Sequence, residues 1–247
     1  TVAELLDQVD GLGPTIPPVA RQVERLASEL KQSSAWSIRE VGQASVHDLF
    51  AELHAYAVGS ALPFEFRGVP QTLGEILSAR DYEELRGSAV GSARAAEIGR
   101  VIDGVASLPD FLIGPVRARR ALRDISEPLP QRLAGISTIL VDEVQDLTLV
   151  ETFFILNVVS RMAAQSGRLP RLMFAGDESQ TVRPTGFQWK WLRVLIESTL
   201  GPDGRPIDET LSQNLRSPED IALFVEATRG LYSEFDKELR PAGMTHT

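Results

Sequence analysis

The chain has 247 residues, 43% hydrophobic and 24% charged, with no cysteine. That is enough for one large domain or two small ones; it excludes disulfides and thiolate metal sites and suits a reducing, cytoplasmic setting. The formal net charge of −9 is not that of a compact nucleic-acid-binding domain, which is usually basic, although a motor can carry a basic track on one face of an acidic body.

No apolar run approaches the ~18–20 residues that cross a bilayer, and the opening TVAELLDQVDG lacks the basic and apolar regions of a signal peptide. Membrane and secretory readings therefore fall away. The chain begins at Thr1 and stops at GMTHT soon after an expected helix, as a segment of a longer polypeptide would. His47, His54 and His246 do not cluster, and with no further ligand near the first two they read as partly exposed helix residues rather than a metal site.

Residues 1–135 read as mostly helical. After Pro17-Pro18, Val19, Val23, Leu26 and Leu30 recur at helical spacing, and Leu49, Phe50 and Leu53 form a second stripe. Such stripes belong to a core or, less often, to a face that binds protein partners. Ser45 with Asp48, and Thr72 with Glu75, have the spacing of capping boxes that open helices. Residues 60–70, with Pro63, Gly68 and Pro70, read as a loop. GSAVGSA (87–93) reads as a loop entering a helix.

The character changes at Ile136. ISTILV (136–141) is a β-branched, apolar run ending in acids, the pattern of a strand buried on both faces of a parallel sheet. Thr148 with Glu151 forms another capping box, opening a helix from about residue 149 to 164. Gly167 to Pro170 ends that helix, and RLMFA (171–175) reads as a second buried strand. Strand, helix and strand this close together make a βαβ unit with parallel strands, so the fold class is α/β. The stretch from Trp191 through Leu192, Leu195 and Ile196 has the spacing of a buried helix face. GPDGRP (201–206) is a linker, and Ser217, Pro218 and Asp220 open a last helix with Ile221, Phe224, Val225 and Thr228 on one face.

In open parallel sheets ligands sit beyond the carboxyl ends of the strands. The first strand ends in Asp142-Glu143, followed by Gln145-Asp146, and the second in Gly176-Asp177, followed by Gln180. Paired carboxylates there suit Mg²⁺, a hard cation that keeps waters and bridges to phosphate, while a neighbouring acid can deprotonate an attacking water. Taken singly, an Asp-Glu pair after a strand is more often an ordinary loop start, and GDESQ a turn.

Together these strings resemble a family. VDEVQDLT (141–148), AGDESQTV (175–182) and LSQNLRS (211–217) resemble motifs II, III and IV of the UvrD/Rep-like superfamily 1 DNA helicases, in the same order and at similar spacing. The resemblance covers residues 136–217 and implies a partial P-loop NTPase, RecA-like parallel sheet. Residues 136–200 would belong to the first motor domain and 201–247 would be a linker and the start of the second. Residues 1–135 would be either the family's accessory domain or an unrelated helical addition. It implies an ATP-dependent helicase or translocase that couples Mg²⁺-ATP hydrolysis to movement on single-stranded or partly duplex DNA, 3′-to-5′ by analogy.

Carried over by position, Asp142 holds Mg²⁺ and Glu143 is the catalytic base. Gln145, Asp146 and Asp177 shape the nucleotide pocket, Gln180 senses the γ-phosphate, and Arg216 reaches the phosphates from the second motor domain. Arg183, Phe187 and Trp189 lie where the family contacts single-stranded DNA. Pro184-Thr185-Gly186-Phe187 stands where a Trp-Arg-Gly-like string is common, however, so no single stacking residue transfers. Leu215 stands where Tyr often holds the adenine, so that contact does not transfer. No GxxxxGK[ST] loop occurs in the chain, and such a loop is what cradles phosphates. Two expectations follow: a piece of an active helicase, binding nucleotide poorly and hydrolysing little by itself without that loop, or a degenerate helicase-like binding or regulatory module without ATPase activity.

Overall fold

A computed structural model of the chain describes residues 5–6, 19–32, 43–104, 113–125, 128–180, 185–209, 224 and 227–228. Contacts divide the chain into a unit Thr1–Pro206 and a second, Ile207–Thr247. The first contains the helices and sheet described below.

Helix α1 (Val19–Gln32) turns Val23, Leu26 and Leu30 inward and leaves Arg21, Glu24, Arg25 and Lys31 exposed. Its apolar stripe joins one core with α2 (Gln43–Glu52), whose Leu49 and Phe50 are buried, and with the π-helical turn Leu53–Val58 that continues α2. The His54 ring stacks on Phe50 at 5.5 Å. Ser45 does not open α2: the helix already runs from Gln43, so Ser45 is internal.

Gly59 ends the π turn, and there is no room for a side chain on it. A Cβ would sit 2.3 Å from the His54 carbonyl oxygen and 2.6 Å from that of Ala55. The Gly59 carbonyl in turn accepts a hydrogen bond from Val150 N at 2.8 Å, tying this turn to the helix after the first strand. Gly59→Ala is therefore expected to destabilise the fold by about 1–3 kcal/mol, read as a lowered urea midpoint; an unchanged midpoint would contradict the close approach.

Residues 60–70 form the expected irregular segment, closed by a tight turn between Phe66 and Val69. Thr72 opens no helix. It is buried in an extended strap, its N–H donating to Leu62 O at 2.9 Å and its carbonyl accepting from Arg119 Nη2 at 2.7 Å. Glu75, which would have closed the box, is instead held by both arms of Arg120 at 2.7 and 2.9 Å. The cap falls at Ser78, whose Oγ accepts from Asp81 N at 3.1 Å to start α3 (Ala79–Val90). GSAVGSA is not a loop throughout, since Gly87 to Val90 finish α3 and only Gly91 separates it from α4 (Ser92–Gly104). Helix α5 (Ile113–Asp124) and the short α6 (Gln131–Ala134) lead into the sheet.

The βαβ unit forms as expected: β1 (Thr138–Val141), α7 (Leu149–Ser166) and β2 (Arg171–Phe174), with the strands parallel and Thr138 opposite Arg171. Both halves of the Thr148–Glu151 box are made, and Gly167 ends α7 with a φ of 70°. Ile139, Val141, Leu172 and Phe174 pack on a core that α7 fills with Phe154, Val158 and Val159 and that the helical region shares through Leu62, Phe66 and Ala118. The expectation of strands buried on both faces fails. Leu140 and Met173 are 71% and 59% exposed, because among the described residues only one face of the two-stranded sheet is covered.

Helix α8 (Trp189–Leu200) buries Leu192, Leu195 and Ile196. Trp191, expected in the core, packs against it from the edge and is half-buried, its ring 5.6 Å from that of Phe66. Its indole N–H needs an acceptor and donates to Gln188 Oε1 at 2.6 Å. Arg216 and the Ser217–Asp220 cap lie outside the described residues; Phe224 is helical and exposed. No helix among the described residues is long and apolar enough to cross a membrane.

Candidate active site

The two strands leave the sheet side by side. Ala175 N donates to Val141 O at 2.8 Å and Val144 N to Ala175 O at 3.0 Å, carrying the pairing one step past the strand ends. Glu143 follows in a left-handed conformation, φ 52° and ψ 42°, which costs a residue with a Cβ ~1–2 kcal/mol. Its surroundings hold it there: Glu143 N donates to Asp142 Oδ1 at 2.9 Å, and its carboxylate Oε2 accepts from Gln145 Nε2 at 2.5 Å.

Gln145 lies on the 3₁₀ turn Val144–Asp146 and is 2% exposed. The other end of its amide, Oε1, accepts from Asp177 N at 3.1 Å. A single buried side chain thus links the acid after β1 to the residue after β2. Gly176 lets the segment leaving β2 pass: a Cβ there would lie 2.3 Å from Gln145 Oε1 and 3.2 Å from Val144 N. Asp177 Oδ2 then accepts from Gln180 Nε2 at 2.8 Å, fixing the last member of the group.

Asp142, Glu143, Gln145, Asp177 and Gln180, singled out from sequence, are therefore brought together. Asp142, Glu143 and Gln180 are exposed, Asp177 half-buried. Asp146 is half-buried on the same turn as Gln145. Phe187 and Trp189 are half-buried on the adjoining segment, their rings edge to face at 5.3 Å. Arg183 and Arg216 lie outside the described residues.

The chain matches no known family model, no curated protein and no solved structure.

Sequence reading missed Thr185. It is 2% exposed, and its hydroxyl donates to the Gln145 carbonyl at 2.5 Å, pinning the turn that carries Gln145. A lone Thr in a Pro-Gly stretch gives no signal of that. The donor set suits a hard cation, being entirely carboxylate and amide oxygen with Asp142 accessible. Among the described residues no group of three or more His, Asp or Glu side chains is placed to hold a metal ion; Mg²⁺ typically takes only one or two carboxylates, with water and phosphate oxygens completing its shell.

Removing the bridge tests its structural weight. Gln145→Ala leaves Asp177 N–H without its buried acceptor and is expected to cost about 1–3 kcal/mol, measured by chemical denaturation. Wild-type stability in that variant would mean the two strand ends are held independently.

Proposed function

We propose that the chain carries the hydrolytic part of an ATP-dependent DNA helicase or translocase, with Mg²⁺-ATP bound beyond the ends of β1 and β2 and single-stranded DNA as the track. The observation that carries this reading is the Glu143–Gln145–Asp177 hydrogen-bonded link, which gathers the acids of two parallel strands at the position where open parallel sheets bind ligands.

Asp142, with its accessible carboxylate, would hold the cation, which when bound neutralises charge on the phosphate oxygens. Glu143 is oriented by the Gln145 amide through Oε2, and in this reading its carboxylate would take the proton of a water attacking the γ-phosphate. Gln180, tethered to Asp177, would report the state of that phosphate. Arg216, beyond the 201–206 linker, would make turnover depend on closure of a second domain. Polarity, 3′-to-5′, is assigned by resemblance alone.

One observation favours the second reading, a helicase-like binding or regulatory module. Residues 1–247 carry no phosphate-cradling string, and of the glycines nearest to one, in GSAVGSA, Gly87 lies within α3 and Gly91 between α3 and α4. ATP turnover by the full-length protein, with and without Mg²⁺ and single-stranded DNA, separates the two. Turnover that needs Mg²⁺ and rises with DNA supports the motor. DNA binding without turnover supports the module.

A further inference from the structure

Glu52 at the end of α2 and Arg86 in α3 form a largely buried ion pair. Both Glu52 oxygens accept from Arg86, at 2.9 and 2.8 Å, and the two side chains are 18% and 16% exposed. Burial, together with Glu52 itself, holds the Tyr82 hydroxyl well above the ordinary tyrosine range, so it stays protonated and donates to Glu52 Oε2 at 2.8 Å. The guanidinium fixed in this way lies 3.7 Å over the Tyr56 ring centroid, a cation–π contact that orients the ring.

The Tyr56 ring meets the segment that leads from β2 into α8. Gly186 has a φ of 67°, and a Cβ on it would lie 3.2 Å from Tyr56 Cε1 and 3.3 Å from Cζ. Glycine permits both the left-handed backbone and this approach. The residue before it is Thr185, whose hydroxyl donates to the Gln145 carbonyl at 2.5 Å, and Gln145 in turn joins Glu143 to Asp177. Tyr56, Thr185 and Gly186 also border a cavity of about 220 Å³, so packing alone does not fix the segment.

We propose that Tyr56 is a positioning residue: by holding Gly186 it sets the Thr185 hydroxyl and so the Gln145 bridge, which puts the alignment of Glu143 and Asp177 under the control of the helical region. The inference deepens the motor reading, on which it rests for the chemistry that this alignment serves. A chain of touching groups does not by itself establish coupling, whereas a double-mutant cycle measures it.

The cycle pairs Tyr56→Leu, which keeps an apolar side chain and loses the ring, with Thr185→Val, which keeps the shape and loses the hydroxyl; Thr185→Ser is the rescue. Two quantities are read in the full-length protein. One is hydrogen exchange at the Asp177 amide, which donates to Gln145 Oε1; the other is kcat and KM for ATP turnover with Mg²⁺. Each single variant is expected to speed that exchange about tenfold, the equivalent of one hydrogen bond, and to lower kcat several-fold at unchanged KM, while exchange within α7 keeps its wild-type rate. Thr185→Ser restores both quantities. The double variant is expected to match Thr185→Val, because the ring acts through the hydroxyl.

Wild-type exchange at Asp177 in Tyr56→Leu, or effects that add in the double variant, overturns the proposal. So does faster exchange throughout α7, since the ring would then support the fold at large, and so does faster Asp177 exchange with wild-type kcat. If the wild-type protein turns over no ATP, the motor reading falls, and the exchange cycle alone decides whether Tyr56 positions the bridge.

Discussion

Replacing Glu143 by Gln is expected to lower ATP turnover of the full-length protein by about 10²–10⁴-fold, the usual contribution of a positioned general base, while leaving ATP affinity near its wild-type value. The substitution isolates chemistry from architecture. Glu143 receives the Gln145 amide through Oε2, and a glutamine carbonyl can accept the same hydrogen bond. The left-handed backbone at φ 52° is no harder for Gln than for Glu. What is lost is the ability to take a proton. Steady-state turnover and equilibrium binding of a fluorescent ATP analogue give the two halves of the result, and a variant that turns over as fast as wild type would remove Glu143 from the mechanism.

The largest effect on stability is expected at Phe154. It is fully buried on α7, in the core that also holds Leu62, Phe66 and Ala118 from the helical region and against which the inner faces of β1 and β2 pack. Neighbouring Phe153 adds an edge-to-face contact with Phe64 at 4.9 Å, so side chains from two parts of the chain converge on this helix. Phe154→Ala removes a ring that relaxation can only partly replace and should cost about 3–5 kcal/mol. Against a total of roughly 5–15 kcal/mol for an ordinary domain, that is enough to unfold a marginal protein. Guanidinium denaturation measures it, and a loss under about 1 kcal/mol would mean that the helical region and the sheet do not share one core.

The βαβ unit was legible because its signals are local. The apolar run into β1 sets a strand, and the Thr148–Glu151 box closes locally, Glu151 Oε2 accepting from both Thr148 N and Thr148 Oγ1 at 2.9 and 2.8 Å. Thr72 and Glu75 have the same spacing and fail, since Arg120, distant in sequence, takes Glu75. A capping box read from sequence assumes that the acid has no better partner, and only folding supplies the partner. The exposure of Leu140 and Met173 was illegible for a related reason: a run of apolar residues states what can be buried, not what arrives to cover it.

At the site, the carboxylates at the strand ends followed from topology and resemblance. The central position of Gln145 did not. Sequence placed it in the pocket, whereas its buried amide ties Glu143 to Asp177 and its backbone is pinned by Thr185.

The most direct test is an experimental structure of the full-length protein with Mg²⁺ and a non-hydrolysable ATP analogue. The account predicts the triphosphate beyond the ends of β1 and β2, the cation on Asp142, and Glu143 and Gln180 both beside the γ-phosphate. An analogue bound elsewhere, with those side chains left in solvent, would contradict it.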